Sequence, residues 1–131
     1  MPGPDPAHWL HRLTAEEWLA AAATELAHAE AALARRAPRP GVTHARRAAG
    51  MAWNAVLTRH PDERAGRSYM DHVVALSNDA TVPEELRAAA QRLRDTPARP
   101  PELVTLGKPD LGPAHDARAI LDHARRVLTP D

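Results

Sequence analysis

At 131 residues the chain has the length of one domain, and its 17 basic residues balance its 17 acidic ones. No net field therefore draws it toward nucleic acid or an anionic membrane. Cysteine is absent, which excludes disulfides, thiolate catalysis and cysteine-held zinc.

Residues 1–13 form a Pro-rich N-terminal segment, expected to be loosely ordered, and residues 14–131 read as one helical-bundle domain. Pro2, Pro4, Asp5 and Pro6 do not make a basic leader, and the longest apolar run, Trp18 to Ala23, is too short to span a bilayer. The expectation is a cytoplasmic protein with no membrane association. Trp9, Leu10 and Leu13 follow as a short apolar patch, suited to a turn of helix lying across the bundle.

Thr14-Ala15-Glu16-Glu17 carries the spacing of a capping box and predicts a helix to about Ala37, halted by Pro38 and Pro40. Leu19, Ala22, Leu26, Ala29 and Leu33 recur at steps of three and four, so one stripe faces a partner helix. A second helix is predicted from Gly41 and Thr43 to about Arg59, with Ala45, Ala48, Ala49, Ala52 and Val56 on its inner face and Trp53 and Leu57 beside them. A shorter third spans about Arg64 to Ser77, presenting Tyr69, Val73 and Leu76. Thr81-Val82-Pro83-Glu84 reads as a Thr cap with proline early in the next helix, about 83–95, whose inner residues are Leu86, Ala89, Ala90 and Leu93.

From 96 to 114 five prolines and two glycines predict a long irregular connection, which Leu103, Val104 and Leu106 tack to the bundle. Residues 115–128 form the closing helix, with Ala117, Ile120, Leu121, Ala124 and Val127 inward. No segment alternates with a period of two. The fold class is all-α: an antiparallel bundle of four main helices, with a short N-terminal turn and a long Pro-rich loop before the last helix.

Of the apolar residues, 28 are alanine, so the core buries little area per residue at about 25 cal/mol per Å². Burial of a further apolar face in a homodimer would compensate. Lys108 is the sole lysine among the 17 basic residues. Arginine's fork suits phosphate and RNA, yet Ala, Arg and Pro enrichment with few Lys, Ile and Phe is also what a GC-rich genome writes.

Glu25-Leu26-Ala27-His28 has the Glu-x-x-His spacing with which di-iron bundles put two ligands on one helix face. Glu25 and His28 are thus candidate metal ligands in a ferritin-like bundle. Such a site needs a second pair and carboxylates from other helices, and an amphipathic helix rich in Glu and His yields one pair by chance. His8 and His11 are three apart without a carboxylate near them. Arg35-Arg36 and Arg46-Arg47 flank the first interhelical turn. They offer a phosphate site or, more simply, a solvated face, and the first pair also suits the negative end of a helix dipole. Nucleophile-elbow, Walker, Rossmann and zinc signatures are absent, and no cofactor is implied.

The small-residue helix Ala45-Arg46-Arg47-Ala48-Ala49-Gly50-Met51-Ala52-Trp53-Asn54-Ala55-Val56-Leu57, the Pro-initiated stretch Val82-Pro83-Glu84-Glu85-Leu86 and the closing Asp116-Ala117-Arg118-Ala119-Ile120-Leu121-Asp122-His123-Ala124 occur in that order after a long first helix. In this order of features the chain resembles the HEPN family of small helical bundles over most of residues 14–128. Many members carry a Glu-Lys pair where this chain has Trp53-Asn54. The resemblance implies either a noncatalytic domain that binds nucleotides or proteins, commonly as a dimer, or a metal-independent, toxin-like ribonuclease paired with a nucleotidyltransferase-fold protein. The family's ribonuclease motif is Arg, four to six residues, then His. Arg118 and His123 match it, as electrostatic stabiliser and general acid–base. Against them, Ala119 stands where a polar residue is expected, the pair lies inside the closing helix, and five residues at 100° place the two side chains about 140° apart, although the resemblance implies that a dimer could bring the two copies together. The sequence therefore favours a noncatalytic homodimeric binding domain over the ribonuclease and the ferritin-like bundle.

Overall fold

A computed structural model describes residues 8–97 and 109–129; residues 1–7 and the loop residues Leu103, Val104 and Leu106 lie outside the described residues. Within them the chain is all-helical. The helices are α1 (Ala15–Ala34), α2 (Pro38–Arg59), α3 (Tyr69–Ser77), α4 (Glu84–Asp95) and α5 (Gly112–Leu128), with 3-10 turns at His8–Arg12 and Glu63–Ala65.

The capping box at Thr14 forms as predicted: its hydroxyl accepts from the Glu17 amide at 3.1 Å, and the Glu17 carboxylate accepts from the Thr14 amide at 2.9 Å. α1 ends earlier than expected, at Ala34. Arg36 takes a left-handed φ of 61°, and the amides of Arg36 and Ala37 close back onto the carbonyls of Leu33 and Ala32. α2 then begins at Pro38. The prolines expected to separate the helices instead open the second one, because a first-turn residue has no intrahelical partner for the amide hydrogen that proline lacks.

α3 starts at Tyr69 rather than near Arg64. Gly66 at φ 74° breaks the chain after the 3-10 turn, and Ser68 and Asp71 form a second capping box. Ahead of α4, Thr81 does not cap. Its amide and hydroxyl both donate to the Asp79 carboxylate, at 2.8 and 2.6 Å, and Pro83 leads into the helix without a side-chain cap. α5 starts at Gly112, three residues ahead of its predicted start, with Pro113 in its first turn.

α2 packs against each of the other four helices, and α5 lies against α1, α2 and α4. The stripes meet as alanine surfaces: Ala22 and Ala29 of α1, Ala45, Ala48, Ala49, Ala52 and Ala55 of α2, and Ala117 and Ala124 of α5 are fully enclosed. Small faces bring backbones close. A Cβ at Gly50 would lie 2.3 Å from Tyr69 Cβ, and one at Gly41 would lie 2.4 Å from Leu33 Cδ2. Of the predicted inner residues, Leu19, Tyr69 and Val127 are only partly buried, whereas Trp18 and Leu128 go fully inside. Leu10 is buried with Leu57 and Ala65, and its carbonyl accepts from Trp18 Nε1 at 2.7 Å, which anchors the N-terminal turn.

Candidate functional site

Glu25 and His28, one helical turn apart on α1, share a face, and the structure adds a third group to them. His44 of α2 brings its Nδ1 to 2.5 Å from Glu25 Oε2. The His28 and His44 rings lie 5.2 Å apart, inclined at 66°. One ligand atom from each of Glu25, His28 and His44 falls within 4.8 Å of the other two. Glu25 is largely enclosed, with 12% of its side chain exposed, and Arg47 holds its other oxygen at 3.3 Å. Among the described residues this is the one gathering of three or more His, Asp or Glu side chains of this kind. It contains a single carboxylate, so the further carboxylates of a di-iron set are not assembled there.

Sequence reasoning missed His44, although a signal existed. His28 lies eight residues before Arg36 and His44 eight residues after it, so a hairpin of helices centred on that turn brings the two imidazoles level.

Arg118 and His123 are held apart by different neighbours. The Arg118 guanidinium donates to Glu30 of α1 at 2.6 Å, tying α5 to α1 at the surface. His123 stacks on Trp53 of α2, with centroids 6.2 Å apart and planes inclined at 16°. Partial burial there, reinforced by the charge of Arg126, lowers its pKa from the ordinary imidazole value.

In the second basic pair both arginines have partners. Arg46 reaches across to the C-terminal end of α4, donating to the carbonyls of Leu93, Arg94 and Thr96 at 2.9, 3.3 and 2.8 Å. Arg46 is thus structural, whereas Arg47, though paired with Glu25, keeps about half of its side chain in solvent.

Two fully buried polar residues were not singled out from the sequence. His72 of α3 donates from Nδ1 to the Ala65 carbonyl at 2.9 Å, and its Nε2 lies 2.7 Å from the Asn54 side chain of α2. Burial pushes the His72 pKa down, against the opposing pull of the Ala65 carbonyl and Asp71. An open groove of about 980 Å³ runs between α2, the second 3-10 turn and α3, and neither His72 nor Asn54 lines it. Trp53, Leu57 and Leu76 supply apolar surface, while Asp62, Arg64 and Asp79 supply charge.

No helix among the described residues is long and apolar enough to cross a membrane. In comparisons with family models, curated proteins and solved structures, no match to this chain was found, so the HEPN resemblance rests on its own helix order and residues.

Proposed function

We propose that the protein is a noncatalytic, cytoplasmic HEPN-like module that acts by binding, as a homodimer whose protomers arrange their main helices as an antiparallel four-helix bundle. The observation that carries this reading is the separate engagement of the two residues with ribonuclease spacing. Arg118 is paired with the Glu30 carboxylate at the surface, at 2.6 Å, and His123 stacks on Trp53. A ribonuclease of this type needs the guanidinium and the imidazole on one phosphate, and a carboxylate on the guanidinium repels that phosphate. The alanine-lined core, which buries little apolar area per residue, is the reason for proposing the dimer. A nucleotidyltransferase-fold protein is the heterologous partner that the family resemblance suggests.

The test compares wild type with His123→Ala against a structured RNA in EDTA, alongside sedimentation equilibrium. Equal and negligible cleavage, with a mass of two 14.3 kDa chains, is the expected result. Cleavage by wild type that disappears in the variant would establish the nuclease instead, and a single 14.3 kDa species at all concentrations would remove the dimer.

A further inference from the structure

We infer that Glu25, His28 and His44 form a mononuclear site for a zinc-class divalent transition-metal ion. The inference goes beyond the binding role proposed above and does not depend on it. Two imidazoles and one carboxylate are a recurrent donor set for zinc and for non-haem iron, with the remaining positions left to water or an incoming ligand. The donors come from two different helices, fixed relative to each other by close packing: Ala22, Leu26 and Ala29 on α1 and Ala45, Ala48 and Ala49 on α2 are all buried beside them.

The geometry fits an ion of this size. A metal about 2.05 Å from each nitrogen sits about 3.2 Å from each ring centroid, and a tetrahedral angle then separates the centroids by about 5.2 Å. The observed separation is 5.2 Å. Tetrahedral donors stand about 3.4 Å apart. The Glu25–His44 contact of 2.5 Å therefore opens by about 1 Å on loading, as an ion replaces that direct contact, while the wider separations close from within 4.8 Å.

Charge shapes the site as well. Arg47, 3.3 Å from Glu25 Oε1, occupies one carboxylate oxygen and leaves Oε2 turned toward His44. It also repels a dication, which limits affinity. About half of the Arg47 side chain is exposed, so it has room to swing into solvent when an ion enters. Removing it should strengthen binding. A merely structural His–Glu hydrogen bond predicts no such gain.

The experiment titrates the full chain with Zn²⁺ by calorimetry and with Co²⁺ by visible absorption. Mg²⁺ serves as the hard-cation control and His11→Ala as the control for an exposed histidine. One ion per chain is expected, with the intense visible band of low-coordinate Co²⁺, no response to Mg²⁺ and no change in His11→Ala. His28→Ala, His44→Ala and Glu25→Gln should each weaken Zn²⁺ binding at least about tenfold, since loss of even an outer-shell partner costs that much. Arg47→Met should tighten it, which is a readout independent of any variant that fails to fold. Stoichiometric binding unchanged in all three ligand variants, absence of binding by wild type, or an Arg47→Met variant no tighter than wild type would each overturn the inference. The RNA and sedimentation tests above read different properties, so either proposal can fail alone.

Discussion

Nε2 of His72 lies 2.7 Å from the side-chain oxygen of Asn54, and both residues are wholly enclosed between α2 and α3. With Nδ1–H donated to the Ala65 carbonyl, a cationic ring donates from Nε2 to Asn54 Oδ1 and leaves Asn54 Nδ2 without a partner. A neutral ring instead makes Nε2 an acceptor, which a half-turn of the Asn54 amide satisfies with its NH₂ group. Burial favours that neutral state, so protonation and amide orientation are linked.

The pH dependence of stability follows. His72 has its folded-state pKa depressed below the ordinary imidazole value, first by burial, so the unfolded chain takes up the proton more readily. Its stabilising contribution is complete above the unfolded value and is lost as pH falls from there through the folded one. His123, also depressed by partial burial, acts in the same direction. Urea denaturation at about pH 7.5 and about pH 5.5 should show a lower midpoint at the acid end. His72→Gln should flatten that difference, leaving the share of His123, and should cost about 1–3 kcal/mol at the higher pH through the partners it strands.

Gly50 sits where α2 meets the start of α3, with Tyr69 Cβ 2.3 Å and Tyr69 Cα 2.6 Å from the position of an added methyl. In an exposed helix interior, alanine for glycine would stabilise by about 1 kcal/mol. Here Gly50→Ala must push backbone apart, and a net loss of about 1–3 kcal/mol is expected by thermal or urea unfolding. The Ser68–Asp71 capping box next to Tyr69 limits how far the start of α3 can retreat.

Arg46 satisfies three carbonyls at the end of α4, residues that would otherwise lack intrahelical donors. Arg46→Ala is expected to cost about 1.5–3 kcal/mol, the range for hydrogen bonds to a charged group. Arg46→Lys should recover only part of this, because a single ammonium does not reproduce the planar fork. Amide hydrogen exchange should localise the loss to the last turn of α4.

Arg92 grips Asp116 of α5 with two nitrogens, at 2.9 to 3.2 Å. The side chain of Asp116 is 11% exposed and that of Arg92 60% exposed, so solvent screens one end of the pair. Asp116→Asn should destabilise by about 1 kcal/mol and lose most of the salt sensitivity of the α4–α5 contact, read from urea midpoints at low and high salt.

Most of the secondary structure was legible in the sequence because local rules decide it. The Thr14 box, the stripe from Ala22 to Leu33 and the inner residues of α4 follow from 3.6-residue periodicity and capping chemistry. Helix boundaries failed where two local signals competed. Pro38 reads equally as a stop and as a start, Asp79 captured the hydroxyl expected to cap α4, and the Ser68-x-x-Asp71 box outranked the apolar pattern that suggested a helix from Arg64.

The sequence by itself determined that alanine and leucine faces would wrap into helices and hide against one another, since burial of those faces is the main gain open to such a composition. Only the tertiary structure decided which polar groups meet. Glu25 with His44, His72 with Asn54, Arg46 with the end of α4 and Arg118 with Glu30 are pairs separated by 18 to 88 positions in the chain. Each depends on the angle and register at which two helices pack. Side-chain shape along the whole interface sets that geometry, and apart from the equal spacing of His28 and His44 about the first turn no local pattern in the chain encodes it.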